Sequence, residues 1–422
     1  MVLHRRAFLS TAGSALGVAV QGGRSAGVGQ SSPSVVRESR IDYGGMEVVS
    51  GSASTGDGPV FCGGTQLSDY AGALETQPFL LSYGDGSGVR RGFPFDDDFG
   101  GGTVVTATDD GEILVASGNA IGKVDDEFEA MWEMTDIGIG SPVDVFDLDD
   151  GVVLAQESPR PSGSTVSLTA LTETGEKRWT RELRRAFGPV ATDDGELVFL
   201  RRQAGVDQLS IVRVNGETDP EIVGSADVYP GNTVADGDGF LSARRAEGGL
   251  KLVRTGFDAR IEWSKRYDMQ TGSYSPVAVE RTTDDGFFVA GNAADPESER
   301  TQGLLFYLAA DGERKWQLTL ADEKRDLALT TVQPIRDGRA VVGGVLDRGD
   351  VESDGWVAVV DGTTAERTVT TKERRTPSPT AEPNTNETST GSRSSQGTPG
   401  FTMTAGIGGV LGWLWLRRRR RY

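Results

Sequence analysis

One unit recurs along this chain and limits its folds more than any other feature. Its fullest copy, residues 282–316, reads TTDDGFFVAGNAADPESERTQGLLFYLAADGERKW. It runs from an Asp-Asp-Gly turn through an apolar strand, a variable loop and a second apolar strand to an Asp-Gly turn and a closing tryptophan. The same order recurs from residue 57 to about residue 360, with first-turn glycines at Gly58, Gly111, Gly151, Gly195, Gly239, Gly286 and Gly338. The intervals between them are 53, 40, 44, 44, 47 and 52 residues. A period of this length marks a repeat architecture. Later in the unit, Trp132, Trp179, Trp263 and Trp316 fall at one equivalent position.

Each copy supplies about four short apolar strands. Residues 142–183 show them as PVDVFDL, GVVLAQ, VSLTAL and KRWTREL, divided by Asp-Asp-Gly, PRPSG and Thr-Gly. Asp-Gly and Thr-Gly between apolar runs are hairpin signals, because glycine accepts the positive φ such turns need. Four strands in each 40–50-residue repeat, with a regular tryptophan, predict a β-propeller of seven four-stranded blades. One blade buries neither face alone, so blades stack radially. The tryptophans are expected to pack between them. The propeller is expected over residues 41–370, after a linker over 28–40, with strands near both ends as candidates for a shared closing blade.

The flanks have a different chemistry. Residues 1–27 carry Arg5 and Arg6 before Phe8 and Leu9, then an apolar Gly/Ala-rich stretch: a basic region followed by a mild hydrophobic one, which reads as targeting rather than as structure. Residues 371–399 are dominated by Thr, Ser and Pro and have no apolar period, so they are expected to be a disordered stalk. Asn386 there begins an Asn-Glu-Thr glycosylation sequon. Residues 400–422 form an uncharged apolar segment ending in five arginines, 417–421. A transmembrane helix is expected there, with the arginines snorkelling on the cytoplasmic side.

Charge and missing residue types narrow the function. The chain has a formal net charge of −19 at pH 7. All 62 acidic residues lie between the two flanking segments. Such a surface opposes nucleic-acid binding, so no nucleic-acid partner is expected. The single histidine, His4, lies in the targeting segment. Without histidine, a Ser-His-Asp triad and histidine metal sites are excluded from the mature domain. The single cysteine, Cys62, has no internal disulfide partner and reads as a small buried hydrophobe. The acidic pairs sit mostly in the repeat turns before glycine, where an Asp side chain bonds its own turn backbone. No catalytic or metal residue is therefore assigned. No cofactor is expected; Ca²⁺ is the one ion that Asp-rich turns would suit.

Three resemblances add to this reading. The Arg-Arg-x-Phe-Leu start, Arg5 to Leu9, resembles a twin-arginine export signal, which implies export after folding. Ser-Leu-Thr-Ala-Leu to Trp179, and the matching half-unit ending at Trp316, resemble quinoprotein-like (PQQ-like) propeller repeats. That family includes dehydrogenases as well as non-enzymatic scaffolds. Pro399, Gly400 and Phe401, between stalk and apolar segment, are similar to the C-terminal sorting signal of haloarchaeal surface proteins. The latter resemblance implies an archaeosortase as partner, which removes the tail and leaves the protein on a membrane lipid. The acidic, lysine-poor composition resembles that of halophilic proteins.

The function expected is a non-enzymatic binding or scaffold protein, tethered outside the membrane. Its partner would be an envelope protein, a glycan or a small molecule. The alternative is a quinone- or calcium-dependent oxidoreductase, or another carboxylate-based enzyme, on the propeller face. Phe93, Phe95 and Phe99, in the long segment 87–101, are the expected ligand-contact residues.

Overall fold

The computed structural model describes residues 33–362 except 42–45, 69–73, 84–89, 93–102, 109, 139, 149–150, 159–164, 185, 192–196, 203–208, 215–220, 227–231, 237–238, 270–273, 296–299, 323, 337 and 348–352. The export signal, the stalk and the C-terminal segment lie outside the described residues.

The described chain is all-β, with no helix among its residues. Strand β1 (Ser34–Ile41) comes first, and the four-stranded units follow in chain order. The first is β2 (Met46–Thr55), β3 (Gly58–Ser68), β4 (Leu74–Ser82) and β5 (Arg90–Gly92). Next come β6 (Thr103–Ala107), β7 (Ile113–Ser117), β8 (Ala120–Val124) and β9 (Ala130–Met134). The third unit is β10 (Ser141–Leu148), β11 (Gly151–Ser158), β12 (Thr165–Leu171) and β13 (Lys177–Arg184). It is followed by β14 (Ala186–Ala191), β15 (Leu197–Arg202), β16 (Leu209–Val214) and β17 (Glu221–Ala226). The next two are β18 (Asn232–Asp236), β19 (Gly239–Ala246), β20 (Gly249–Gly256) and β21 (Ile261–Asp268), then β22 (Tyr274–Arg281), β23 (Phe287–Ala294), β24 (Thr301–Leu308) and β25 (Arg314–Leu320). Three strands close the described chain: β26 (Asp326–Arg336), β27 (Arg339–Asp347) and β28 (Ser353–Asp361).

Within each unit the strands pair antiparallel in sequence order. The last unit takes its fourth strand from the opposite end of the chain. β1 pairs antiparallel with β28, from Ser34 opposite Asp361 to Ile41 opposite Gly355. This corrects the reading of residues 28–40 as a linker: from Ser34 onward they are strand. One parallel pair, Met46 with Ser353, joins this unit to the first as an eight-stranded sheet.

The near-continuous apolar runs follow from burial on both faces. Along β23, Phe287 and Val289 pack into a cluster with β19 and β20, while Phe288 and Ala290 pack into a second with β27 and β28. Successive side chains of a strand point to opposite faces, so both faces need apolar residues when each meets another sheet.

First strands of neighbouring units lie against one another, β2 contacting both β6 and β26, and β22 both β18 and β26. The first strand slips register at Val49/Gly51, Pro142/Asp144, Phe187/Val190, Pro276/Ala278 and Leu329/Thr331. Such bulges bend a strand and increase its twist. Two of the bulged residues reach the neighbouring unit. Ser50 Oγ donates to the Thr103 carbonyl at 2.7 Å, and Thr330 Oγ1 to the Val49 carbonyl at 2.5 Å. Asn292 clamps the Leu329 backbone twice, donating to its carbonyl at 2.8 Å and accepting from its N–H at 2.7 Å.

The outer strands connect by a different contact. The Trp132 ring of β9 lies over Gly175, in the β12–β13 turn of the next unit; a Cβ there would sit 2.7 Å from the ring. Trp263 of β21 lies likewise over Gly312 in the β24–β25 turn, and Trp316 of β25 over Gly362 after β28. Gly175 also has φ +84°, a conformation that L side chains disfavour.

Gly111 isolates that contact. Its φ is +87°, but a Cβ there would meet nothing within 4 Å. Gly111→Ala is expected to cost about 1–2 kcal/mol from the backbone alone. Gly175→Ala adds an overpacking cost of about 1–3 kcal/mol. Thermal unfolding of the two variants checks this: Gly175→Ala should melt several degrees below Gly111→Ala. Equal melting temperatures would show that the tryptophan contact contributes nothing.

Candidate functional site

The acidic turns were the first place to look for chemistry, and their carboxylates are engaged locally. Asp125 Oδ1 accepts the backbone N–H groups of Glu127 at 3.0 Å and Glu129 at 2.8 Å. Asp258 accepts the Arg260 N–H at 3.0 Å, and Asp311 the Glu313 N–H at 2.8 Å. Asp284 accepts from Thr282 Oγ1 at 2.5 Å and from the Tyr307 hydroxyl. Thr108 beside Asp110, and the Glu313 N–H beside Asp311, lower those two carboxyls below the usual range. Burial opposes the effect at Asp284, yet its Thr282 and Tyr307 bonds hold it low. Among the described residues no three His, Cys, Asp or Glu side chains converge as a metal ion would require.

The inner wall, formed by β2, β6, β10, β14, β18, β22 and β26, is a different environment. β6 and β14 contain no titratable residue. Asp236 of β18 is paired with Arg254 at 2.5 Å and with Arg281 of β22 at 3.5 Å. Asp326 accepts the Thr301 N–H at 2.5 Å. Asp147 lies within the field of Lys123, which also pairs with Glu112. Glu47 is fully buried between β2 and β28, near Ser353 and Gly355.

Asp144 of β10 and Glu280 of β22 differ from all of these. Each is half-buried, and neither makes an ion pair among the described residues. Burial pushes the Asp144 carboxyl up to about 7, against one bond from the Val145 N–H at 2.9 Å. Burial also pushes Glu280 up to about 8, and the negative charge of Asp144 adds to the rise. The two strands belong to units three apart in the chain, so the Asp144 charge acts on Glu280 from a distant unit. A pair of acids that hold their protons near neutral pH can donate hydrogen bonds or accept cations, depending on pH.

The structure places the residues singled out from sequence as follows. Trp132 and Trp263 are half-buried and Trp316 is buried, each over a turn glycine of the following unit. Trp179 is half-buried beside the cluster of Phe146, Leu168 and Phe199. Phe93, Phe95 and Phe99 lie outside the described residues, as do Arg5, Arg6, Phe8, Leu9, Asn386, Pro399, Gly400 and Phe401. Cys62 is buried, and burial pushes its thiol up to about 12. Asp144 and Glu280 were not singled out. Their one sequence signal is a lone acid inside an apolar inner strand, in PVDVF and VAVER.

No family model matches the chain, and no curated protein matches it in sequence. Solved structures do. The β-propeller domain of Cps50 (Swd1) from Myceliophteria thermophila superposes with a TM-score of 0.53 at 10% identity, covering 78% of this chain and 99% of that one. The fold is a β-propeller. The WD40 domain of Toxoplasma gondii coronin matches with a TM-score of 0.49 at 10% identity, over 79% of this chain and 88% of that one. A Bacteroides caccae protein of unknown function matches with 0.40 at 13% identity, over 65% and 93%. At such identities the likeness is one of fold alone.

The acid pair makes propeller stability depend on pH in a stated direction. Both folded carboxyls hold their proton more tightly than the unfolded chain does. Their stabilisation is therefore complete below about pH 4 and is lost as pH rises towards 7 and 8. Glu280→Gln cannot ionise. Measured from pH 5 to 9, its melting temperature should gain steadily on that of the native protein. A constant difference across that range would mean that Glu280 titrates as an ordinary surface acid.

Proposed function

We propose that this chain is a seven-bladed, membrane-tethered β-propeller at the cell surface, acting as a non-enzymatic binding scaffold. One observation carries the reading. Among the described residues, carboxylates of the recurring turns are engaged in holding those turns, as at Asp125, Asp258, Asp284 and Asp311. The sequence supplies the address. An Arg5-Arg6 signal exports the chain, the Pro399-Gly400-Phe401 segment directs an archaeosortase to it, and the stalk, glycosylated at Asn386, spaces the propeller from the bilayer. Its partner is an envelope protein, a glycan or a small molecule.

The Asp144–Glu280 pair favours a second reading, a carboxylate-based reaction in the channel. The two readings separate experimentally. Full-length protein, extracted from membranes and used to capture envelope partners at native salt, should retain them in the Asp144→Asn, Glu280→Gln double variant. Loss of a substrate-dependent turnover in that variant would instead establish the enzyme. Intact mass of the extracted protein tests the tether: a mass that still includes residues 401–422 contradicts processing by a sortase.

A further inference from the structure

One junction of the propeller is crossed differently from the rest. Elsewhere the chain runs from a unit's fourth strand straight into the first strand of the next unit, as from β9 to β10 or from β25 to β26. At the closing junction it runs from β1 to β2, and β1 belongs to the last unit only through its pairing with β28. Ser34 lies opposite Asp361 there, so the two ends of the described chain leave side by side. Releasing β1 parts the last unit from the first with the loss of one further strand pair, Met46 with Ser353.

The contact that locks the outer strands also changes at this junction. Each of β9, β13, β21 and β25 skips one residue against its partner strand and follows it with a tryptophan: Trp132, Trp179, Trp263 and Trp316. In β17 the position is Gly224, but there the chain itself spans the junction. β1 skips Val36, and the residue that follows is Arg37. Its guanidinium lies over the Tyr83 ring, 5.1 Å from the centroid. Tyr83 follows β4, the third strand of the first unit, just as Gly175 and Gly312 follow the third strands β12 and β24. Arg37 thus stands in the tryptophan's place, and it is exposed where Trp316 is buried. An exposed cation over an aromatic face attracts weakly, whereas a seated tryptophan also removes a large apolar area from water. The rest of β1 is as lightly held. Only Ile41 in it is buried, against Trp316, Leu318 and Leu320 in β25.

We propose that β1 is a releasable latch. In the folded protein it detaches from β28, which opens the ring at the closing junction while every other junction stays shut. The bonds that β1 and β28 share break together. The cluster that Ile41 forms with Phe61, Phe79, Val341 and Val357, between the first and last units, then becomes accessible. Opening of this kind is a local event with a free energy below that of global unfolding. Arg37 sets its frequency, because it ties the latch to the first unit.

Thiol labelling of the full-length protein tests the latch. Val357→Cys places a thiol in that cluster. Native Cys62, in the cluster between the first and second units, reports any wider opening of the same molecule. Both positions are buried. Under native conditions a small maleimide should modify Val357→Cys at least about tenfold faster than Cys62. Adding Arg37→Trp should slow labelling of Val357→Cys several-fold, and adding Arg37→Ala should speed it several-fold, with Cys62 unchanged in both. Val341→Cys, in the same cluster, repeats the measurement if Val357→Cys lowers the melting temperature. Equal labelling of the two thiols would mean that the junction parts only in global unfolding, and would overturn the latch. A Val357→Cys rate that neither Arg37 variant alters would overturn it equally.

Discussion

A tryptophan ring lying on a turn glycine holds successive blades in register. The contact needs three things at once: a ring on the fourth strand, a turn with a positive φ, and no Cβ beneath the ring. Trp132 on Gly175 and Trp263 on Gly312 meet all three demands, and Trp316 on Gly362 meets the first and the last. Because each contact links one blade's outer strand to the next blade's turn, it sets the angular step of the ring. Inner hydrogen bonds from Ser50, Asn292 and Thr330 set the same step at the other end of the blade. Between them lie apolar faces with no affinity for water and no partner except the adjacent blade.

This division of labour explains why the fold was legible in the sequence. Hairpin turns favour glycine, and at three interfaces a fourth-strand tryptophan meets one, so both residues recur along the sequence. The strand boundaries read from residues 142–183 coincide closely with β10 to β13. β1 was missed because an edge strand closing a blade needs few apolar residues: SVVRESRI alternates weakly and keeps much of its surface exposed. Nothing local marks it as a partner of β28, more than three hundred residues away. Asp144 and Glu280 were missed for the opposite reason. Among 62 acids no single one stands out, and only the ring topology brings two of them into each other's field.

The structure also sorts the charges by purpose. Asp110, Asp284 and Asp311 are stabilised in their ionised form by hydroxyl and backbone N–H donors, so they contribute to stability at neutral pH and above. The inner-wall pair behaves in the reverse sense, because protein surrounds it without supplying a cation among the described residues. One acidic composition thus serves two ends: carboxylates that hold the turns, and a proton-holding pair on the inner strands β10 and β22. Sequence counting cannot separate them, since both are simply aspartate and glutamate.

The closure of the propeller, and the shared exit of the two described chain ends, depend on β1 pairing with β28 in the last blade. Amide hydrogen exchange of the full-length protein measures this directly. If β1 is the fourth strand of that blade, the paired amides of residues 34–41 should be protected to nearly the same degree as those of β28. Exchange of residues 34–41 at the rate of an unstructured peptide, with β28 still protected, would contradict the closure and the shared exit of the two chain ends.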